Sequence, residues 1–242
     1  ITRGNGRSYG DAAQIKERKV IKLNNFKQII PNYKKNEVTA EAGASFEEIL
    51  EIIIPKGFFL PVTPGTKKIT LGGAIAADIH GKNHHKDGSF GNYVKRIKLI
   101  NGMGKKLTLF SNKQNGIDNK ENFWATIGGM GLTGVIIEAT FTIIPIETVF
   151  IKEVSKRYNN LDDLMKAMKR NNHKYKYSVA WLDSMNNDLR GILTCGNHAK
   201  NKEVKNINKK DKLTFKHRSL FSVPNLIPMN LINKLIIKIF NE

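Results

Sequence analysis

The stretch from Pro64 to His85 contains the side chains of this chain that are best suited to chemistry. Small residues fill its middle, from Gly72 to Ala77, and it continues into His80 and Lys82. Backbone with little side-chain bulk can lie against a flat aromatic ligand. A histidine can move a proton near neutral pH, and a lysine offers positive charge to a substrate. The pattern predicts a ligand-binding segment that ends in two reactive side chains, with a tight packing seam in the core as the structural alternative.

A second segment, Arg3-Gly4-Asn5-Gly6-Arg7-Ser8-Tyr9-Gly10-Asp11, combines three glycines and one hydroxyl with two arginines. Successive N–H groups in such a loop can form an anion-binding nest, to which arginines add charge for phosphate. The loop is neither a dinucleotide fingerprint, because Tyr9 stands where the third glycine would be, nor a P-loop, because no Gly-Lys-Ser/Thr follows. The sequence leaves an anion site and an ordinary polar turn as the two interpretations.

A third segment, Gly129 to Gly134, satisfies the G-x-G-x-x-G spacing. A Rossmann site needs a helix directly afterwards, so that the helix N-terminus meets the pyrophosphate. The residues that follow, Val135 to Phe141, are β-branched and typical of a strand. Nicotinamide binding in a Rossmann domain is therefore disfavoured.

The sequence disfavours two other chemistries, metal binding and nucleophilic catalysis. His80 and His84 are four residues apart, as two zinc ligands on a helix would be, but the glycine between them disfavours a helix and the lysine would repel a cation. We therefore expect no metal. Neither Ser8 nor Cys195 has a recognisable base or oxyanion motif beside it, so neither is favoured as a nucleophile.

The elements that must position these segments alternate between strands and helices, which predicts an α+β fold. One helix begins after Ser45, whose capping box with Glu48 marks its start, and it ends near Pro55 and Gly57; another begins at Asn160. We expect Asn101 to Gly104 to form a hairpin turn. The predicted strands are 20–23, 37–43, 96–100, 106–110, 132–145, 175–182 and 191–195. The predicted apolar helix faces are Ile49, Leu50, Ile52 and Ile53 in the first helix and Leu161, Leu164, Met165 and Met168 in the second.

Composition restricts the remaining classes of function. The 242 residues include 40 Lys and Arg against 21 Asp and Glu, a formal charge of +19, and one cysteine, which excludes an intramolecular disulfide. The basic residues are spread along the chain without a nucleic-acid recognition motif, so we expect no nucleic-acid partner. The apolar run Ser219 to Asn233 is too short to span a bilayer. After Pro228 an amphipathic stripe predicts either a core helix or, less favoured, a membrane-surface helix.

Three segments together resemble the FAD-binding domain of the vanillyl-alcohol-oxidase-type (PCMH-type) flavoproteins: RGNGRSYGD, PGTKKITLGGAIAADIHGKNHHKDGSFGN and FWATIGGMGLTGVI. The most specific part is DIHGKNHH. More loosely, YSVAWLD and VPNLIPMNLINK are similar to the start of the substrate domain of that family. More narrowly, the segments resemble the family members that oxidise a polyprenylphosphoryl-β-D-ribose. Because residue 1 is Ile and the family's chain continues further, we expect both ends of the natural protein to lie outside this sequence.

The resemblance implies an α+β fold in which residues 1–146 form an FAD-binding domain of two α+β subdomains and residues 147–242 begin an α+β substrate domain. It implies oxidation of the sugar 2′-hydroxyl to a ketone, with hydride passing to flavin N5, and a separate NAD(P)-dependent reductase as partner. A sugar-alcohol or aldonolactone oxidase is the alternative within the family, and a basic nucleic-acid- or membrane-binding module the alternative outside it. A lipid-linked or small sugar substrate, peripheral membrane contact and a cytoplasmic or membrane-peripheral location are expected.

The resemblance also assigns residues. His80 and Lys82 match the active-site pair, and Tyr9 matches an aromatic residue at the flavin edge. Arg7 stands where some relatives have a histidine bonded to flavin, so FAD is expected to be non-covalent. The residues that the resemblance places at FAD are Gly4, Asn5, Gly6, Arg7, Ser8, Tyr9, Gly10, Gly65, Leu71, Gly72, Gly73, Ala77, Ile79, His80 and Ile136.

Overall fold

The computed structural model describes residues 1–114, 116–185, 188–205, 207–208 and 211–215. The chain divides into two compact units, the first made of Ile1–Val149 with Lys200–Thr214 and the second containing Phe150–Ala199. The sequence-based border at 146/147 lies three residues before this division. Of the described residues after 199, those from Lys200 to Thr214 cluster with the first unit, and Val149 donates its N–H to Lys212 O at 2.8 Å.

The first unit combines nine strands with four helices within the described residues, as expected for an α+β fold. In chain order they are β1 (Thr2–Arg3), β2 (Ile21–Lys22), β3 (Ile29–Asn32), β4 (Glu37–Glu41), α1 (Phe46–Ile53), β5 (Phe58–Phe59), α2 (Leu71–Ala76), α3 (His84–Asp87), β6 (Val94–Ile100), β7 (Lys106–Phe110), α4 (Lys120–Thr126), β8 (Val135–Thr142) and β9 (Ile144–Pro145).

Five of these strands form one antiparallel sheet in the order β3-β4-β8-β6-β7. Ala40, Ala139 and Ile97 are paired across three adjacent strands, and each is at most 1% exposed. Small and large apolar side chains on neighbouring strands together give this sheet a continuous buried face.

The predicted hairpin at Asn101 is confirmed, because its side-chain Oδ1 accepts the N–H of Met103 and of Lys105 at 3.0 Å.

The core of the first unit is centred on three phenylalanines from different elements. Phe90 lies 5.2 Å from Phe46 of α1 and 5.3 Å from Phe141 of β8, measured between ring centroids. All three side chains are at most 1% exposed. Burial of an aromatic side chain of this size contributes about 1.5–3 kcal/mol, so the helix, the sheet and the segment after α3 are held together here.

The capping box predicted at Ser45 is confirmed. The Glu48 N–H donates to Ser45 Oγ at 3.2 Å, and the Ser45 N–H donates to Glu48 Oε2 at 2.8 Å. Of the predicted apolar face, Ile49, Leu50 and Ile53 are buried. The prediction for Ile52 is wrong: its side chain is 39% exposed, because it lies to one side of the stripe that packs on the core.

The predicted strand from Leu132 to Pro145 is shorter and divided in the structure. Gly131 and Gly134 have φ of +77° and +148°, so the chain turns until β8 begins at Val135. Thr142 ends β8, and the two residues of β9 then pair with β5 instead of continuing the large sheet. Composition alone does not reveal this change of pairing, because β-branched residues, which favour strands, occur on both sides of the division.

Within the described residues, the second unit comprises a three-stranded antiparallel sheet and one helix. In chain order the elements are β10 (Ile151–Tyr158), α5 (Leu161–Asn171), β11 (Tyr177–Leu182) and β12 (Gly191–His198), and the sheet order is β10-β12-β11.

Helix α5 begins at the predicted residue, because Asn160 Oδ1 accepts the Asp163 N–H at 2.8 Å. Its buried residues are Leu164 and Ala167. Met165, which the sequence places on the apolar face, is 48% exposed. Ala167 instead packs with Leu193 and Cys195, so the face that meets the sheet is rotated from the predicted one.

In the part of the chain that the structure describes, no helix has both the length and the apolar character needed to cross a membrane. The apolar run Ser219 to Asn233 and the amphipathic stripe after Pro228 lie outside the described residues.

The capping box predicts a pH-dependent stability. Burial by itself would raise the pKa of Glu48, but hydrogen bonds from Lys27 and Ser45 and the charge of Lys27 outweigh it and hold that pKa below its ordinary value of 4.5. The ionised form therefore stabilises the folded state above the unfolded pKa, and this contribution is lost as the pH falls through the folded pKa.

Urea unfolding of the parent protein and of Glu48→Gln should show the largest free-energy difference at pH 5–7, decreasing below roughly pH 4. Glu51→Gln, on the exposed side of the same helix, is the control and should differ little from the parent throughout. A Glu48→Gln difference that is independent of pH would contradict the assignment.

Candidate functional site

The first unit encloses a cavity of about 620 Å3. This volume lies within the range of roughly 300–1,000 Å3 typical of small-molecule sites. The three segments singled out in the sequence meet in its wall. The predicted cofactor-binding residues that line it are Gly4, Asn5, Gly6, Arg7, Ser8, Tyr9, Gly65, Gly72, Gly73, Ala77, Ile79 and Ile136.

Residues 4–9 of the glycine-rich loop line the cavity. Among the hydrogen bonds of the described residues, none uses a backbone N–H of this loop. Asn5 ties the loop to the second segment, because its Nδ2 donates to Lys68 O at 2.9 Å. Gly6 adopts φ +60°, a conformation that favours glycine. Free amides in a glycine-rich turn are suited to an anion such as phosphate.

The electrostatics of the cavity favour the same class of ligand. Arg3 and Arg7 both line it, and none of its described lining residues is acidic. The Arg3 side chain folds over Gly6, where a Cβ atom would lie only 2.4 Å from Arg3 Nη2. Glycine at this position therefore leaves room for the guanidinium, and guanidinium groups match phosphate oxygens in geometry and charge.

Helix α2 forms an apolar wall with almost no side-chain bulk. Gly72, Gly73, Ala76 and Ala77 face the cavity. A Cβ on Gly72 would lie 2.9 Å from the Cβ of Ala42, so this glycine permits the helix to approach the end of β4. The close approach creates a flat surface on which a planar ring system can lie.

The first turn of α2 has its own hydrogen-bond partners. The Leu71 N–H donates to Ala44 O at 2.8 Å and the Gly72 N–H to Ala42 O at 2.9 Å. Thr70 Oγ1 accepts the Gly73 N–H at 3.4 Å. These three amides therefore have partners within the protein, unlike the backbone N–H groups of the Gly4–Gly10 loop.

The G-x-G-x-x-G segment completes the wall. Its Met130 N–H donates to Ala76 O at 2.8 Å, which attaches the turn to α2. Gly131 and Gly134 line the cavity, and a strand follows the segment, as predicted. The motif has the spacing of a Rossmann fingerprint, but it lines this cavity as a turn followed by a strand, not as a turn followed by a helix.

Three residues from the predicted cofactor set do not line the cavity. Leu71 is fully buried in the core. Gly10 lies beyond the lining part of its loop, and His80 follows Ile79, which does line the cavity.

The predicted active-site pair lies directly after the cavity wall in the chain. His80 and Lys82 are both exposed, and the His80 ring contacts that of His84 edge-on at 5.2 Å between centroids. Tyr9 lines the cavity and is 99% exposed. The geometry leaves all three side chains accessible to a substrate, and their catalytic roles stay predictions.

Other candidate chemistry is not assembled. Within the described ranges, no three His, Cys, Asp or Glu residues lie close enough to hold a metal ion. Cys195 is buried in the second unit, and its Sγ lies 3.7 Å from Ser178 Oγ. A buried thiol with a hydroxyl partner is a packing residue in this arrangement.

The cofactor-binding residues predicted from the sequence leave out several residues that line the cavity. Arg3 could have been included, because it stands in the same motif as Arg7. Thr70 lies within the predicted Pro64–His85 segment, whereas nothing in the local sequence of Ala42 indicates that it meets the other segments. The lining residues missed are Thr2, Arg3, Ala12, Ala13, Leu23, Ala42, Pro64, Thr66, Ile69, Thr70, Ala76, Met130, Gly131 and Gly134.

Comparison with known families agrees with the class of ligand that this cavity fits. Residues 1–109 match the FAD binding domain family. The matched residues lie within the first unit, whose mixed helices and strands agree with such a domain, and the match indicates FAD as the cofactor.

Individual relatives agree with this class. The chain is 37% identical over 97% of its length to the decaprenylphosphoryl-beta-D-ribose oxidase of Mycolicibacterium smegmatis, of which it covers 51%. It is 34% identical over 62% of its length to an uncharacterized protein of Streptomyces coelicolor, covering 38% of it. It is 26% identical over 60% of its length to the D-arabinono-1,4-lactone oxidase of Kluyveromyces lactis, covering 27%. The chain therefore spans about half or less of these relatives.

The residues of the cavity fit FAD on grounds independent of these comparisons. Free amides and two arginines suit the pyrophosphate, and the wall of glycine and alanine suits a planar ring. A single added Cβ at Gly4 would lie 2.1 Å from Thr70 Oγ1, so the loop and α2 meet with no spare volume between them.

The packing of α2 on β4 predicts that Gly72→Ala is destabilising. The added methyl group would contact Ala42, whose Cβ is attached directly to the backbone and cannot rotate away. Overpacking of this kind costs about 1–3 kcal/mol, which exceeds the gain in helix propensity of about 1 kcal/mol at most. Gly65→Ala is the matched control, because nothing lies within 4 Å of its added Cβ. Equal urea midpoints for the two variants would refute this account of the contact.

The electrostatics predict that Arg3→Ala and Arg7→Ala weaken FAD binding. A charge-assisted hydrogen bond contributes about 1.5–3 kcal/mol, which corresponds to roughly tenfold or more in the dissociation constant. Fluorescence titration of apoprotein with FAD measures this change, and Arg18→Ala, an exposed arginine outside the cavity lining, is the control. Affinities that match the Arg18→Ala value would show that the two arginines do not bind the cofactor.

Proposed function

We propose that this protein is an FAD-linked oxidoreductase that oxidises a sugar hydroxyl. The observation that carries the proposal is the convergence of the glycine loop, α2 and the G-x-G-x-x-G turn on one cavity with free amides and two arginines. The match of residues 1–109 to the FAD binding domain family supports it. The two named oxidases among the relatives support the reaction type.

The substrate that we propose is a polyprenylphosphoryl-β-D-ribose, oxidised at its 2′-hydroxyl to the 2′-keto form. The basis is the 37% identity, over 97% of this chain, to an oxidase whose name specifies decaprenylphosphoryl ribose. An aldonolactone or sugar-alcohol substrate is the alternative, and the weaker likeness to an arabinonolactone oxidase favours it over other substrates.

The Gly4–Gly10 amides, Arg3 and Arg7 would hold the pyrophosphate of a non-covalently bound FAD, and α2 would support its ring system. When bound, FAD accepts the hydride that is released when an alcohol becomes a ketone. His80, exposed at the end of the cavity wall, would accept the hydroxyl proton. Lys82 would offer its charge to the substrate phosphate, and Tyr9 would border the site of reaction.

Two partners follow from this chemistry. A 2′-keto sugar must be reduced again to yield the epimeric alcohol, so we propose a separate NAD(P)-dependent reductase that consumes the product. A polyprenyl chain lies in a bilayer, so we also propose peripheral contact with a membrane surface, to which the formal charge of +19 would contribute.

The function is tested by anaerobic reduction of the bound flavin. Purified protein should be yellow and should release FAD on acid precipitation. Its absorbance near 450 nm should bleach with a polyprenylphosphoryl ribose and not with soluble sugar alcohols or aldonolactones. Bleaching only with a soluble substrate would select the alternative. A folded, colourless protein that binds polyanions in a salt-sensitive way would instead indicate the basic binding module.

The active-site assignment is tested in the same assay. His80→Ala and Lys82→Ala should slow flavin reduction by about 100-fold and about tenfold, as expected for loss of a proton acceptor and of a substrate-binding charge, with FAD still bound. His173→Ala in the second unit and Lys105→Ala in the β6–β7 hairpin are the controls. Rates equal to those of the controls would remove these residues from the mechanism.

A further inference from the structure

Asp78 has a left-handed backbone conformation, which aspartate adopts more readily than most residues but less readily than glycine. It follows Ala77, the C-terminal cap of α2, and has φ +40°, in the left-handed region. Glycine usually occupies this place after a helix, because a side chain there costs free energy. Non-glycine residues keep such conformations where the surrounding structure imposes them, often beside functional sites.

The carboxylate of Asp78 explains what holds it there. Its Oδ2 accepts the hydroxyl of Ser89 at 2.7 Å, and its Oδ1 accepts the backbone N–H of Gly91 at 2.8 Å. Glycines make room for it, because a Cβ at Gly91 would lie 2.8 Å from Oδ1 and one at Gly128 would lie 3.4 Å from the Asp78 Cβ. No described basic side chain forms an ion pair with it.

These bonds connect the cavity wall to the core. Next to Asp78, Ile79 donates its N–H to Ala74 O at 3.1 Å and accepts the Phe90 N–H at 2.8 Å. Phe90 is fully buried between Phe46 and Phe141. Ile79 lines the cavity, and His80 is the next residue. The backbone from which His80 projects is therefore joined on one side to α2 and on the other to the segment that carries the buried Phe90.

We propose that Asp78 is a positioning residue, whose carboxylate clamps Ile79 and His80 in place at the end of the cavity. Glycine at position 78 would relieve the left-handed strain but would lose both hydrogen bonds of the carboxylate. The sequence thus retains a strained residue whose side chain reaches Ser89 and Gly91. The inference rests on the proposed function for its catalytic consequence, and on the hydrogen bonds alone for its structural one.

The test compares Asp78→Gly, Asp78→Asn and Ser89→Ala with the parent protein. In Asp78→Gly the relieved strain and the lost hydrogen bonds act in opposite directions on stability, so the urea midpoint should change little. Flavin reduction should fall by roughly tenfold or more, because small misplacements of a reacting group have effects of this size, while the FAD dissociation constant rises less than about threefold. Asp78→Asn keeps an acceptor oxygen and tolerates the left-handed backbone, so it should retain most of the rate. Ser89→Ala should be intermediate.

A second readout does not depend on turnover. In protein with isotope-labelled histidine, the NMR ring signals of His80 and His84 should shift or broaden in Asp78→Gly and remain near the parent positions in Asp78→Asn. The His173 signal, from the second unit, is the internal control. Unchanged His80 signals in Asp78→Gly would overturn the proposal, as would a reduction rate equal to that of the parent. A parent protein whose flavin no sugar reduces, with His80 signals that still respond to Asp78→Gly, would reject the proposed function and leave the clamp intact.

Discussion

The close approach of helix α2 to the end of β4 is the contact on which the rest of the site depends. Gly72 has no side chain to separate the two elements, and two backbone hydrogen bonds, from Leu71 to Ala44 and from Gly72 to Ala42, join them. Because the helix is anchored by its N-terminal end, its glycine and alanine surface is left to form the cavity wall. The same hydrogen bonds occupy the amides of its first turn. The backbone N–H groups of the neighbouring Gly4–Gly10 loop have no such partners and are therefore better suited to an anion.

In the proposed function, that loop and the helix would divide the recognition of FAD between them. The loop, whose N–H groups have no partner among the described hydrogen bonds, would act on phosphate together with Arg3 and Arg7, while the helix would offer apolar backbone surface to a planar ring. The reactive side chains are added at the C-terminal end of α2, where the chain leaves the cavity wall at Ile79. We propose that the hydrogen bonds around Asp78 and Phe90 hold the backbone from which His80 projects.

Local features of the sequence predicted much of the fold. The capping box of Ser45 and Glu48, the cap at Asn160 and the Asn101–Gly104 turn each depend on groups within five residues of one another, and all three are confirmed. Predictions failed where a choice among similar residues depended on distant packing. Ile52 and Met165 are apolar like their buried neighbours, yet both are exposed, because the elements packed against each helix decide which side of its apolar stripe is covered.

The sequence by itself determined the chemistry available to this protein: glycine-rich backbone, arginines and a histidine–lysine pair, in motifs that match an FAD binding domain. Only the tertiary structure decided which of those residues share a cavity, and it added Leu23 and Ala42, which lie outside the three segments that the sequence singles out. The physical reason is that caps and turns are closed by groups a few residues apart, whereas the cavity closes through contacts between segments separated by tens of residues, whose geometry is set by sheet register and core packing.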